Sequence, residues 1–229
     1  MATRIWRSAA GCGSSTPRST TITEPERWTL VAGQAWASYL AGGRGVGAVA
    51  ADAGVVCAVA GNADSPDGSG LRHAEIEAIS RLSRETVRRV TLYTSLEPCV
   101  LCLGALTFSR VPRVVFAARD FSFSAGHRAL AGAPVLGARV PAFTGPLGGR
   151  LGAFCRLVPI VADLHNYHGS GRLGLEERLT PGLVRLARDF TRAADEDWPD
   201  VLNRLGPDLD EVANELSHAE TRLSRLGFF

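Results

Sequence analysis

The chain has 229 residues, of which 45% are hydrophobic and 21% charged, and its formal net charge is +2. This length and composition suit one sizeable globular core and exclude a disordered chain. No run of about 18 apolar residues occurs, so the sequence predicts no membrane-spanning helix. The net positive charge is also smaller than is usual for proteins that bind the phosphate backbone of nucleic acids.

Residues 1–23 are rich in Arg, Ser and Thr and contain no acidic residue. They lack the continuous apolar segment of a secretion signal, and we expect them to form a mobile leader. The chain has 5 Cys, an odd number, and Cys99 and Cys102 form a C-x-x-C pair. Because this pattern argues against a disulfide framework, we expect reduced thiols and a cytoplasmic location.

The first predicted helix begins near Thr23. Thr23 and Glu26 form a capping box, and apolar residues recur at helical spacing from Trp28 to Tyr39. Strands and helices then alternate along the chain. The predicted strands cover 46–60 (two strands joined by a turn), 90–95 and 113–117, and the predicted helices cover 73–84 and 98–109. This alternation predicts a mainly parallel sheet with helices on both faces.

The segment 121–150 is rich in Gly and Pro and is expected to be a loop with one short strand near 138–143. A helix over 149–164 is expected to close the domain. Three polar residues occur at the end of this helix, and we interpret them as a polar helix end rather than as a metal cluster. They are Asp163, His165 and His168.

The pattern changes near residue 169. The last 60 residues hold 8 Arg and 12 acidic residues, a net charge of −4. Thr180 and Pro181 open one helix, and the last helix carries apolar residues at steps of three and four from Leu209 to Leu226. We expect this seam, too short for a coiled coil, to pack on the chain's own helices. The predicted divisions are a leader over 1–23, a domain over 24–168 and a helical extension over 169–229.

Two short segments carry the residues of a metal site. They are His73-Ala74-Glu75 and Pro98-Cys99-Val100-Leu101-Cys102. One imidazole and two thiols are zinc ligands, and Cys99 and Cys102 converge at positions i and i+3 of a helix that Pro98 is suited to begin. His73 and Glu75 diverge in a regular helix, so both reach one site only if His73 lies at the helix start.

Three protein ligands leave the fourth tetrahedral position of zinc to water, as in catalytic sites. Two thiolates weaken the Lewis acidity of the metal, so a neighbouring base that takes the proton of the water gains importance, and Glu75 suits that role. A structural zinc site is the alternative, but it normally takes a fourth protein ligand, and none lies at motif spacing.

The pattern H-x-E followed by P-C-x-x-C is that of zinc deaminases that act on nucleobases. The surrounding sequence resembles the adenosine and guanine deaminase branch of the cytidine deaminase superfamily, which includes bacterial tRNA adenosine deaminases. The similar segments are VGAVAADAGVVCAVAGN at 46–62, HAEIEAI at 73–79, TLYTSLEPCVLCLGAL at 91–106 and SRVPRVVFAARD at 109–120. The resemblance covers residues 24–120 well and 121–167 loosely.

This resemblance implies a three-layer α/β/α fold with a mixed, mostly parallel five-stranded sheet, to which the helical extension is added, and it implies a homodimer. It implies zinc on His73, Cys99 and Cys102. Glu75 is then the catalytic proton shuttle, and Asn62 hydrogen-bonds the substrate. In this chemistry activated water attacks the ring carbon that bears the amine, Glu75 returns protons to the ring nitrogen and the amine, and ammonia leaves.

Three residues after the Ala-Arg-Asp segment at 118–120 are further candidates for substrate binding, because in the family the loops that contact the substrate follow this strand. They are Phe121, Phe123 and His127. A plain surface loop is the alternative interpretation of the same segment.

The choice of substrate depends on the charge of the C-terminal segment. An RNA substrate requires a base to be flipped out and the phosphates around it to be held. A segment of net charge −4 would weaken such binding. We therefore expect a zinc-dependent hydrolytic deaminase of a small amino-substituted nucleobase, nucleoside or related heterocycle. A tRNA adenosine deaminase is the alternative, and a catalytically silent zinc-binding scaffold is the alternative of another class.

Overall fold

The computed structural model describes residues 21–65, 68–122, 126–167, 173–193 and 196–227. The strands are β1 (Gly47–Asp52), β2 (Val55–Gly61), β3 (Thr91–Leu96), β4 (Arg113–Ala118) and β5 (Ala142–Thr144). The helices are α1 (Glu24–Leu40), α2 (Ala74–Ile79), α3 (Val100–Ser109), α4 (Gly126–Ala131), α5 (Gly149–His165), α6 (Leu173–Leu179), α7 (Pro181–Asp189), α8 (Trp198–Arg204) and α9 (Gly206–Arg225). Most of the predicted leader, residues 1–20, lies outside the described residues.

The strands form one mixed sheet in the order β2-β1-β3-β4-β5. β1 pairs antiparallel with both β2 and β3, whereas β3 pairs in parallel with β4 and β4 with β5. Four of the five described strands therefore point the same way, and β1 runs against them. This arrangement confirms the mixed, mostly parallel five-stranded sheet.

Helices cover both faces of the sheet, because successive side chains of a strand point to opposite faces. Val49 of β1 joins a core that includes Val31 of α1 and Phe154 of α5. Its neighbour Ala48 joins a second core on the other face, which includes Leu106 of α3. The sheet between these two cores is the middle layer of the predicted α/β/α arrangement.

The start of α1 and its approach to the sheet follow from local chemistry. The backbone N–H and the hydroxyl of Thr23 donate to Glu26 Oε2 at 2.7 and 2.8 Å, in the predicted capping box. A Cβ at Gly47, the first residue of β1, would lie 2.3 Å from the carbonyl oxygen of Val31. The glycine therefore lets α1 lie directly against the sheet.

The C-terminal helices share a hydrophobic core with α1 and α5. Leu183 of α7 and Leu209, Val212 and Leu216 of α9 are buried in the cluster that contains α1 and α5. The apolar seam of the last helix thus packs on the chain's own helices, as expected. The predicted division at residue 169 stays a prediction, although the core is continuous across it.

A completely buried ion pair joins α6 to α5. Arg156 of α5 donates through Nη2 to Glu176 Oε1 of α6, and both side chains are 0% exposed. The hydroxyl of Thr180 donates to Glu176 Oε2 at 3.0 Å. Among the described residues, Nε and Nη1 of Arg156 have no hydrogen-bond partner. Glu176 is therefore the acceptor that compensates the buried guanidinium.

Several elements differ from the predicted ranges, and the segment 121–150, predicted as a loop with one short strand, also contains the helix α4. α2 ends at Ile79 rather than near residue 84, and the Ser83 hydroxyl accepts from the Thr86 N–H at 3.1 Å to begin a separate 3-10 turn. β5 covers Ala142–Thr144 only, because a second 3-10 turn occupies Gly137–Arg139. Within the described ranges, no helix combines the length and apolarity needed to cross a bilayer.

Candidate active site

His73 and Glu75 reach one place because α2 begins between them. His73 is the N-cap, with extended backbone at φ −69 and ψ 148, and the first helical residue is Ala74. The imidazole of His73 therefore projects from the residue that precedes the regular helix, and Glu75 lies in the first turn. This is the irregular helix start that the spacing of the two residues predicted.

Cys99 and Cys102 converge at the start of α3. Cys99 is the N-cap, with φ −68 and ψ 173, and Cys102 lies in the first turn. The sequence placed Pro98 in the first turn, but α3 begins at Val100, so Pro98 precedes the cap. The first turn keeps the two sulfurs on the same side despite this shift, and its unpaired N–H groups and helix dipole favour thiolate.

The three predicted donors fit a zinc ion. His73 Nδ1 lies 3.2 Å from Cys102 Sγ and 3.5 Å from Cys99 Sγ, and all three donor atoms lie within 4.8 Å of one another. Tetrahedral zinc with ordinary Zn–N and Zn–S lengths separates its nitrogen and sulfur donors by about 3.5 Å. In the part of the chain that the structure describes, no other group of three His, Cys, Asp or Glu donors comes together in this way.

Glu75 lies beside these donors and is buried. Its Oε1 accepts from the Thr94 hydroxyl at 3.3 Å, and its Oε2 lies 3.4 Å from Cys102 Sγ. Burial, followed by the negative charge of Cys99, raises the pKa of the Glu75 carboxyl. A carboxyl with a raised pKa can both take and return a proton near neutral pH.

The protonation of the three donors is also coupled. A hydrogen bond from Cys102, and then one with His73, lowers the pKa of Cys99 to about 4. The hydrogen bond to Cys99, together with burial, raises the pKa of Cys102 well above its usual range. The hydrogen bond with Cys99 raises the pKa of His73. Of the two thiols in the donor set, Cys99 therefore ionises more readily than Cys102.

The donors open into a cavity of about 510 Å³. This volume lies within the range of small-molecule sites. The lining combines an apolar set with a set of polar side chains. The apolar residues are Val46, Leu96, Val100 and Leu101, and the polar residues besides the metal donors and Glu75 are Arg44, Asn62, Asp64, Glu97 and Asp120.

Asn62 is held in a defined orientation on this wall. Its Oδ1 accepts from the backbone N–H groups of Arg44 and Asp64, each at 3.1 Å. The Ser38 hydroxyl donates to the Asn62 carbonyl at 2.6 Å. Because two N–H donors occupy the carboxamide oxygen, the carboxamide nitrogen is the group that Asn62 can present to a ligand.

The other predicted substrate residues have different positions. Phe121 is not among the described residues that line the cavity, and its ring centroid lies 5.9 Å from Cζ of Arg156, against the core. Phe123 lies outside the described residues. His127 belongs to α4, but its side chain is not described.

The sequence interpretation missed four polar residues of the cavity, namely Arg44, Asp64, Glu97 and Asp120. Two of them had a usable signal. The β1–β2 pairing sets Gly47 opposite Gly61, so the predicted hairpin already brings Arg44 and Asp64, just beyond the strand ends, close to Asn62. The polar helix end also has a role, because Asp163 is buried and pairs with Arg44 at 3.1 Å.

Residues 26–118 match the protein family described as the cytidine and deoxycytidylate deaminase zinc-binding region. The chain is 39% identical over 79 residues to the tRNA-specific adenosine deaminase of Bacillus subtilis, covering 33% of this chain and 49% of that protein. It is 42% identical over 53 residues to a probable cytosine deaminase of Schizosaccharomyces pombe, covering 22% and 33%. The chain thus spans a third to a half of the length of these curated relatives.

The chain also resembles solved structures. A guanine deaminase from Nitrosomonas europaea has 27% sequence identity and a TM-score of 0.46, over 63% of this chain and 88% of that chain. The family match over 26–118 contains every residue of the donor set and Glu75. The family is zinc-binding, in agreement with one imidazole and two thiols as donors. Residues 26–118 therefore correspond to the zinc-binding region of cytidine and deoxycytidylate deaminases.

Proposed function

We propose that the protein is a zinc-dependent hydrolase that releases ammonia from an amino-substituted nucleobase, nucleoside or related small heterocycle. The observation that carries this proposal is the buried carboxyl of Glu75, within 3.4 Å of the donor set at the edge of the cavity. A structural zinc site has no use for such a carboxyl. Among the described residues, the donor set also has three members rather than four.

The residues of the site divide the reaction between them. The zinc ion that His73, Cys99 and Cys102 can hold would supply Lewis-acid activation of the attacking water. Glu75 accepts a proton from the water at its carboxylate and delivers it to the ring nitrogen, and it then takes the second proton from the hydroxyl group added to the ring and delivers it to the exocyclic amine. The carbon–oxygen bond forms, the carbon–nitrogen bond breaks, and ammonia leaves. Asn62 orients the ring by donating from its carboxamide nitrogen.

The test replaces Glu75 by Gln, which keeps the shape of the side chain and removes its proton transfer. We expect about one zinc per chain in both proteins and a loss of ammonia release of about 100- to 10,000-fold in the variant. Glu77→Gln is the matched control, because Glu77 lies on the same helix but pairs with Arg72 at the surface. Full activity of Glu75→Gln, or no ammonia from zinc-replete wild type with any heterocycle, would contradict the proposal.

A tRNA adenosine deaminase is the second candidate. The 39% identity to the Bacillus subtilis tRNA-specific enzyme over 79 residues favours it. The net charge of −4 in the last 60 residues opposes it. Deproteinised tRNA and a panel of free bases and nucleosides, assayed side by side for ammonia release, decide between the two. A catalytically silent scaffold would bind zinc and turn over neither.

The proposal extends to substrate contacts and assembly. Phe121, Phe123 and His127 stay candidate substrate residues, and alanine variants assayed on the active substrate test them. A cytoplasmic homodimer is also part of the proposal. The exposed apolar side chains of Val100 and Phe108 on α3 are compatible with a partner surface, and sedimentation equilibrium should give twice the mass of one chain.

A further inference from the structure

Arg44 is a cavity residue to which the proposed reaction assigns no task. Its side chain is 31% exposed and lines the same cavity as the metal donors. Apart from His73 and Arg44, none of the described lining residues has a basic side chain. The remaining charged side chains of the wall are carboxylates, which accept hydrogen bonds. A donor group in this position can recognise part of a substrate that the carboxylates cannot.

Three contacts hold Arg44 in place. Its backbone N–H donates to Asn62 Oδ1 at 3.1 Å, and its Nη1 donates to the buried Asp163 at 3.1 Å. Its Cζ lies 4.0 Å from the ring centroid of Tyr167, and the Tyr167 hydroxyl donates to the Asp64 carbonyl at 3.1 Å. A guanidinium that is already ordered loses little entropy when it binds a ligand.

The anchored guanidinium retains donors for a ligand. Arginine has five N–H donors in a planar fork, and among the described residues Asp163 is the one side chain that accepts from them. The remaining N–H groups are not among the buried, unpaired atoms, because the Arg44 side chain is partly exposed where it lines the cavity. They are therefore available to a bound heterocycle.

We propose that Arg44 is a specificity-determining residue that donates hydrogen bonds to an uncharged acceptor of the substrate, either a ring carbonyl oxygen or a ring nitrogen. This inference rests on the proposed deaminase function. An uncharged acceptor is favoured because Asp163 already balances the guanidinium. A phosphate at this wall would also meet the carboxylates of Asp64 and Asp120.

The test uses the most active heterocycle of the panel together with its analogue that lacks one acceptor, a deaza or carbonyl-free ring. Arg44→Met keeps the length of the side chain and removes its donors. We expect this variant to lower kcat/KM for the complete substrate by about 10- to 100-fold and to change the analogue little, so that the discrimination disappears. The control is Arg89→Met, at the other end of the β1–β2 hairpin, where Arg89 pairs with Asp52.

Arg44→Lys provides a second variant, because it retains a positive charge opposite Asp163 but loses the planar fork. If Arg44→Met does not fold, reduced discrimination in a zinc-replete Arg44→Lys protein of native melting temperature supports the inference, and unchanged discrimination overturns it. A selective loss of activity on the nucleoside 5′-monophosphate, rather than on the uncharged substrate, also overturns it. A failure of the proposed function is distinct, since wild type would then deaminate nothing.

Discussion

The buried ion pair between Arg156 and Glu176 allows a quantitative test of how much the C-terminal helices contribute to the stability of the protein. Both side chains are 0% exposed, and Glu176 is the described partner of the guanidinium. Glu176→Gln leaves the shape unchanged but leaves a buried positive charge without its counter-charge. Breaking a buried pair in this way costs about 3–5 kcal/mol.

The assay is equilibrium unfolding in urea of the zinc-loaded protein. With a dependence on urea of about 2 kcal/mol per molar, this loss lowers the midpoint by about 2 M. Glu177→Gln is the matched control, because the neighbouring Glu177 pairs with Arg188 at the surface, and we expect its midpoint to stay near that of wild type. The double variant Arg156→Met with Glu176→Leu should recover most of the stability, since apolar residues can replace a buried pair.

Two outcomes would refute this reasoning. The first is a loss below about 1 kcal/mol for Glu176→Gln, which would place it among ordinary exposed pairs. The second is a double variant as unstable as the single one, which would mean that packing rather than the uncompensated charge of Arg156 caused the loss.

Two further predictions concern packing. Gly47→Ala should destabilise the protein by about 1–3 kcal/mol, because a Cβ would lie 2.3 Å from the Val31 carbonyl oxygen. Gly104→Ala should be neutral or stabilising, because an added Cβ meets no neighbouring atom of the described residues within 4 Å; equal melting temperatures for the two variants would contradict this. Leu209→Ala should cost about 2–5 kcal/mol, since Leu209 is fully buried in the shared core. If α9 were an independent appendage, the main unfolding transition would not move.

Local signals in the sequence were sufficient for much of the fold and for the metal donors. The capping box of Thr23 and Glu26 depends on residues three positions apart, and the structure contains it. The two-residue spacing of His73 and Glu75 already required a helix start at His73. The C-x-x-C spacing required Cys99 and Cys102 to converge. Each of these inferences involves atoms that one turn of helix brings together.

The wall of the cavity depended on contacts that no local pattern contains. Arg44 contacts Asp163 and Tyr167, which follow it by more than one hundred positions, and the ring centroid of Phe121 lies 5.9 Å from Cζ of Arg156, 35 positions further along the chain. Hydrophobic periodicity and secondary-structure propensity act over a few residues. They are therefore sufficient to predict helices, strands and metal ligands that lie close together in the sequence. Which distant side chains share a cavity is decided only when the helices pack on the sheet, because that packing sets the direction of each side chain.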